Sequence, residues 1–357
     1  MSEMKRSDLL KKKRKKRYIF YGAMGVFLVL YTLFWKTFMD VNNTANNIFN
    51  SINTENKRES QVVIEATQPI SFVFLGVDNG TIDRQDQPGR SDAILIGTVN
   101  PKTRTTTLVS IPRDTYALMD GYETYDGSLF YDKLTHAYAF GEAEMAINSI
   151  QELVNVPIDY YVEVNMTGLI DIVDALGGIE VTSPLTFDYQ GNYFTQGETR
   201  ILDGKEALAF SRMRKTDPDG DFGRQKREKI VIKAILDKAL SLGTIRNYQD
   251  ILETLEDNVR TNLTFKDMTD MYAAYGKSLE NFKQDSLTGE ELWLEDIYYF
   301  YVHPEERLEL SNKLREQLEL NPIEMEDLHL SDTDYYNLEY ASYEDEYVEE
   351  EYVDDSY

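Results

Sequence analysis

Residues 18–35 read YIFYGAMGVFLVLYTLFW, eighteen positions without a charge, directly after the basic run KKKRKKR at 11–17. As a helix this stretch extends about 27 Å, enough to cross the hydrocarbon core of a bilayer. Dense positive charge on one flank alone puts that flank in the cytoplasm, so everything after about residue 39 is expected outside. The run ends in WKTFM, with no small-x-small cleavage site, which favours a retained anchor over a cleaved leader. The expected plan is a basic cytoplasmic segment (1–17), a transmembrane signal anchor (18–38), a polar stalk (39–68), a globular domain (69–310) and an acidic, Tyr-rich tail (311–357) left disordered.

Charge narrows the partners. The chain has 63 acids against 37 basic residues, for a net charge of −26, and the basic residues of the first 17 positions sit beside the span as a topology signal. No nucleic acid is expected as a partner, since so short an inner segment holds no helix-turn-helix. The absence of cysteine excludes thiolate chemistry, disulfides and Cys-ligated zinc. Three histidines, His136, His303 and His329, are too few and too dispersed in sequence for a His-based metal cluster.

Within the globular part, 70–77 (ISFVFLGV) and 93–99 (AILIGTV) are short β-branched and aromatic runs that read as buried strands, and 108–111 follows an Asn-Pro turn as a hairpin partner. Helical spacing over 133–153, a strand at 160–164, a helix at 166–176 closed by Gly177-Gly178 and a strand at 179–182 come next. Asp203 and Glu206 form a capping-box pattern before a short apolar helix at 207–210, and a long helix is expected over 224–242. Further helices are expected near Ile251 and over 264–282. The alternation of helices and strands predicts an α/β layered domain.

The chemistry-bearing residues gather at element ends. Asp78 leaves the first strand, Arg90 and Asp92 precede the second on what would be one face, and Arg113 closes the third. Two acids and two arginines there suit a hard divalent cation between carboxylates, with guanidinium forks on phosphate oxygens. Arg212 and Arg214 follow a helix, and Arg224 falls in the first turn of the next, where backbone N–H groups favour an anion. Arginines 113, 212, 214 and 224 could surround one polyanion. Asp217, Asp219, Asp221 and Glu228 imitate a calcium loop, but Phe222 occupies the position where that turn demands glycine. GRSDA at 89–93 approaches a hydrolase nucleophile pattern without a strand directly before it.

These stretches resemble the LytR-CpsA-Psr family of cell-wall glycopolymer transferases: FVFLGVD (72–78), GRSDAILIGTVNPKTRTTTLVSIPRDTY (89–116), DKLTHAYAFG (132–141), GLIDIVDALGGIEVTSP (168–184), LDGKEALAFSRMRKTDPDGDFGRQKREKIV (202–231) and VRTNLTF (259–265). The resemblance implies an extracellular α-β-α domain with a central mixed sheet, anchored to a Gram-positive membrane. It implies a magnesium-dependent (or manganese-dependent) phosphotransferase that takes a teichoic acid or capsule polysaccharide from a polyprenyl-pyrophosphate carrier and attaches it to peptidoglycan. By position, Asp78 and Asp92 would hold the metal, while Arg90, Arg113, Arg212, Arg214 and Arg224 would grip the pyrophosphate; Asp92 is also a candidate general base. An apolar pocket between sheet and helices is implied for the lipid. Glu228 falls where members commonly carry a pyrophosphate-contacting Gln, and a carboxylate there repels phosphate unless protonated, paired with arginine or metal-bound. Gly141-Glu142 likewise replaces a common Gly-Gly. The competing readings are a non-catalytic membrane-anchored regulator or attenuator, and a polyprenyl-pyrophosphate-binding module or pyrophosphatase without an acceptor.

Overall fold

A computed structural model describes residues 68–78, 89–239 and 258–337, together with 49–52, 57–58, 62, 64 and Leu255. The basic segment, the apolar run 18–38, the helix expected near Ile251 and the last twenty residues lie outside the described residues. Among the described residues no helix is long and apolar enough to cross a membrane.

A six-stranded mixed sheet organises the domain. β1 (Ile70–Asp78), β2 (Arg90–Asn100) and β3 (Thr105–Ile111) form an antiparallel meander, followed by the small separate pair β4 (Tyr116–Leu118) and β5 (Tyr131–Lys133); β6 (Tyr160–Asn165) lies parallel to β1, and β11 (Val259–Thr261) and β12 (Asn281–Ser286) complete the order β11-β6-β1-β2-β3-β12. On one face Val73, Leu75, Val77, Ile94, Ile96, Val109 and Ile111 pack against α1 (Leu134–Val154) and α6 (Pro304–Gln317) in the main core. Toward the other face lie α2 (Met166–Ala175), α3 (Gly204–Arg212) and α4 (Gly220–Ala239). These helices share a second core with β7 (Ile179–Thr182), β8 (Phe187–Tyr189), β9 (Asn192–Phe194) and β10 (Thr199–Leu202), centred on Phe187, Phe194, Phe210 and Val231. The α/β layering with a central mixed sheet is therefore observed.

The local signals explain where the helices begin. Asn165 caps α2 by accepting from the Gly168 amide, and Asp203 with Glu206 makes the reciprocal capping box of α3. α4 starts four residues earlier than expected. The helix expected over 264–282 is shorter: α5 (Phe265–Tyr275) ends in a 3-10 turn, Gly276–Glu280, and the chain then joins the sheet edge as β12. α1 is kinked at Gly141 and Glu142, and Glu142 sits at φ 53°, ψ −149°, a region that essentially only glycine visits without strain.

Both expected domain boundaries shift. Upstream, Phe49 bridges Thr261, the Asn50 amide donates to Thr261 O at 2.8 Å, and Arg58 pairs with Asp159 at 2.8 Å, so part of the segment read as a stalk is packed on the domain. Downstream, the boundary at 310 falls inside α6, and the segment from 311 to 337 read as disordered tail is ordered. Residues 332–337 are helical, and Asp334 is buried against Arg307 at 3.2 Å while accepting from Tyr301 Oη at 2.8 Å. Arg307 also donates to Leu153 O and His329 O. An acid that reads as solvated in the sequence is thus the counter-ion of a buried arginine on another element.

Two stability outcomes follow. Glu142→Gly relieves the positive-φ strain and is expected to stabilise the domain by about 1 kcal/mol, after glycine's own entropic cost, in urea unfolding. Asp334→Ala leaves Arg307 buried without its carboxylate and is expected to cost about 3 kcal/mol in the same assay.

Candidate functional site

Between the α2–α4 side of the sheet and those helices lies a cavity of about 570 Å³. Its walls are apolar: Phe74 and Leu95 from the meander, Val162 and Val164 from β6, Leu169 and Ile172 from α2, Leu208 from α3, and Val231, Ile232 and Ile235 from α4, with Tyr189 beside them. Its lining also carries the charged set Asp78, Asp92, Arg113, Arg212, Arg214, Lys215, Arg224 and Glu228. These come from the ends of β1 and β3, the start of β2, the end of α3 and the first turns of α4.

A β-bulge aims one of these acids. Gly76 pairs with Ala93 and the next residue, Val77, pairs with Ser91, so Asp92 is the extra residue of β2 without a ladder partner. In regular alternation Asp92 would turn away from Ala93; as the bulged residue it lines the same cavity as Ala93. The pairing is close here, since a Cβ on Gly76 would meet Ala93 Cβ at 2.9 Å.

The charges are matched pair by pair. Arg113 Nη1 donates to Asp92 Oδ1 at 2.8 Å, and Asp114 lies 3.7 Å from Arg113 Nε and 3.2 Å from Lys133 Nζ. Arg224 grips Asp221 with two bonds, 2.9 and 3.1 Å, while its Nη1 donates to Glu228 Oε1 at 2.5 Å and to the Asp92 carbonyl at 3.1 Å. Burial works against the Arg224 charge, but Glu228 and Asp221 outweigh it and raise its pKa. Burial pushes the Asp221 carboxyl up, yet hydrogen bonding and charge from Arg224 leave it lowered. Below, Arg227 is only 1% exposed; it donates to Asp217, to Met213 O and, at 2.9 Å, to Phe210 O, pinning the loop after α3 under α4. Gly223 allows this, because a Cβ there would overlap the Asp217 carboxylate. The acids of the calcium-like pattern thus serve as partners of arginines and, at Asp219, of Lys226.

Of the residues expected from sequence, Asp78, Asp92, Arg113, Arg212, Arg214, Arg224 and Glu228 all line the one cavity. Arg90 does not line it: the residue is exposed and stands opposite Asp78 in the β1–β2 ladder. Its shared face with Asp92 fails because the bulge intervenes. Sequence reasoning missed Asp221 as the orienting partner of Arg224 and Arg214, the latter 3.8 Å away. It also missed the apolar lining, although the i, i+4 pair Val231 and Ile235 and the alternate residues Phe74 and Gly76 carried that signal.

Glu228 is 12% exposed on its side chain, and burial, only partly offset by Arg224, raises its pKa from 4.5 to about 7. The native state therefore holds this proton in the window between about 4.5 and about 7 where the unfolded chain has released it. Stability that Glu228 contributes is present below that window and lost as pH rises through it. Glu228→Gln should remove this dependence, giving a variant more stable than the parent at pH 8 by up to about 3 kcal/mol and little different at pH 4.5, in urea unfolding across pH.

The LytR_cpsA_psr family profile matches residues 35–316. A relative from Bacillus licheniformis named polyisoprenyl-teichoic acid–peptidoglycan teichoic acid transferase TagU is 39% identical over 318 residues, covering 88% of this chain and 99% of the relative. A protein of the same name from Enterococcus faecalis is 40% identical over 308 residues, covering 85% and 98%. Among solved structures, Bacillus subtilis TagU superposes with a TM-score of 0.57 at 39% identity, covering 72% of this chain and all of that one. TagT bound to LIIa-WTA gives a TM-score of 0.63 at 31% identity, covering 76% and 100%. With profile, relatives and structures all spanning the domain that holds the cavity, the chain belongs to the LytR-CpsA-Psr family.

Proposed function

We propose that this chain transfers a teichoic-acid-type glycopolymer from a polyprenyl-pyrophosphate carrier to peptidoglycan. One observation carries the reading: a single cavity combines a long apolar wall, suited to an isoprenoid, with a mouth of arginines and carboxylates suited to a pyrophosphate. The relatives' names supply the polymer and the acceptor.

The residues then take these roles. Apolar side chains of β1, β2, β6, α2 and α4 house the prenyl chain, so its burial supplies affinity that needs no contact at the reacting phosphorus. Arg113, Arg212, Arg214 and Arg224 hold the diphosphate oxygens, with Arg90 at the rim. Phosphoryl transfer asks mainly for positioning and charge neutralisation, and side chains already fixed by Asp92 and Asp221 provide both without reorganising. The acceptor hydroxyl attacks the phosphorus bearing the glycan, the bond to the lipid phosphate breaks, and Asp92 is the candidate base for the hydroxyl proton. Asp78 and Asp92 are also the pair that would hold magnesium. Among the described residues no group of three or more metal-binding side chains gathers, and two carboxylates completed by substrate phosphates is a donor set magnesium accepts. When bound there, the cation would neutralise charge building on the phosphate oxygens.

In this reading residues 18–38 anchor the chain once in the membrane, with the N-terminus cytoplasmic and the domain outside. The basic flank at 11–17 supports that orientation.

The test uses full-length chain in detergent with a polyprenyl-pyrophosphoryl glycan, peptidoglycan and magnesium, following lipid monophosphate release and glycan attachment. Arg113→Ala is expected to lower kcat/KM by about 10²- to 10³-fold with the fold intact. Chelation should stop attachment and magnesium should restore it. Tight donor binding without release or attachment in the parent chain would overturn the assignment in favour of a binding module.

A further inference from the structure

The hairpin of β13 (Glu290–Leu294) and β14 (Ile297–Tyr301) does not line the cavity, yet the Phe300 amide donates at 2.8 Å to the carbonyl of Asp114, the neighbour of the lining residue Arg113. It closes through Glu295 and Asp296, both at positive φ, in the manner of a type I′ turn. In its ladder Trp293 is directly opposite Tyr298, and the two rings meet edge to face with centroids 5.5 Å apart. Two residues beyond Tyr298, on the same face, Phe300 meets Phe222 at 5.9 Å. Phe222 lies in the first turn of α4, next to Asp221, the partner of Arg224.

An aromatic row thus runs outward from the arginine cradle: Phe222, then the buried Phe300, then Tyr298 and Trp293. Phe222 is 40% exposed and Trp293 61%, so both ends of the row are open to solvent. A second line of contacts ties the row to the mouth. Asp92 holds Arg113, Arg113 adjoins Asp114, Asp114 holds Lys133, and the Lys133 ammonium lies over the Tyr298 ring at 5.7 Å. The Tyr298 phenol is raised in pKa, by burial first and then by the charges of Asp114, Glu291 and Asp221, so it stays a hydrogen-bond donor at neutral pH.

We propose that the face of this hairpin carrying Trp293 and Tyr298, continued by Phe222, is the docking platform for the sugar strand of the acceptor. The C–H face of a pyranose is apolar and stacks on an aromatic face, while its rim hydroxyls need polar neighbours of the kind that Lys133, Glu291 and the Tyr298 hydroxyl provide. Charge selects this occupant. Residues 289–301, GEELWLEDIYYFY, contain four acids and no lysine or arginine, so a phosphate-rich polymer leaving the donor is repelled, whereas uncharged amino-sugar rings are not. An anionic membrane surface is disfavoured on the same ground. The direction of the row, ending beside Arg224, would deliver a strand hydroxyl to the diphosphate. The inference rests on the transferase reading for its purpose but not for its measurement.

The experiment titrates full-length chain in detergent with soluble, uncrosslinked glycan strands by calorimetry, without donor. Trp293→Ala is expected to weaken strand binding by about tenfold, and Trp293→Phe, which keeps a ring, by no more than about threefold. In the transfer assay Trp293→Ala should raise the acceptor KM by a similar factor while leaving kcat, donor affinity and melting temperature as in the parent. Strand affinity unchanged in Trp293→Ala overturns the proposal. So does a loss confined to free teichoic polymer, or to vesicles containing anionic lipid. If strands bind through Trp293 but the parent transfers nothing, the transferase reading fails and the platform stands. If transfer depends on Arg113 while Trp293→Ala binds strands normally, the platform fails alone.

Discussion

Strands β1 and β2 are apolar on both faces, and such a pair is stable only when covered twice. The two covers are built differently. On one side α1 and α6 interlock with the strands, and Val73, Ile96, Ala146, Ile150 and Leu314 are fully or almost fully buried. On the other, α2, α3 and α4 pack chiefly on one another and on the small strands β7 to β10, around their own core. Because that second layer satisfies itself, it does not collapse onto the sheet, and the gap between the two is the cavity. The site is a product of how the sheet is covered rather than of any loop inserted into it.

Electrostatics fix what packing leaves open. The mouth gathers many charges, yet Asp92 with Arg113, Asp221 with Arg224 and Asp217 with Arg227 divide them into opposed pairs. The deepest of these, Arg227, binds two carbonyls as well as its carboxylate and sets the path of the loop between α3 and α4. Arg224 is then held from three directions, by Asp221, Glu228 and the Asp92 carbonyl. Glu228 is thus an arginine partner whose burial is only partly offset, so its carboxyl is raised to about 7.

Much of this was legible in the sequence, for a physical reason in each case. β1 and β2 announced themselves because strands buried on both faces read as continuous apolar runs, and β3 because its apolar end follows the turn after β2. The α3 capping box is a local interaction, so four consecutive residues encode it. Asp78, Asp92, Arg113, Arg212, Arg214 and Arg224 stood out because charged residues at the ends of apolar elements have few structural duties there. What failed depended on contacts distant in sequence. The bulge that separates Arg90 from Asp92 arises from the register with β1, and nothing in RSDA shows it. The cavity lining is spread over the meander, β6 and three helices. Asp334 reads as one more acid in an acidic stretch until Arg307 is found beside it, and the hairpin of β13 and β14 carries acids at its turn in place of the usual Asn-Gly.

An apolar cavity of this size leaves its lining atoms short of neighbours, and the folded state forgoes the dispersion energy they would have gained. Under the proposed function, a prenyl chain entering it would supply those contacts and bind the native state alone, so folding stability would rise with the logarithm of carrier concentration. The wall of the cavity would then make the chain a reporter of its own supply. On that reading the protein would be hardest to unfold where loaded carrier is abundant, and easier for proteases to open where carrier is exhausted.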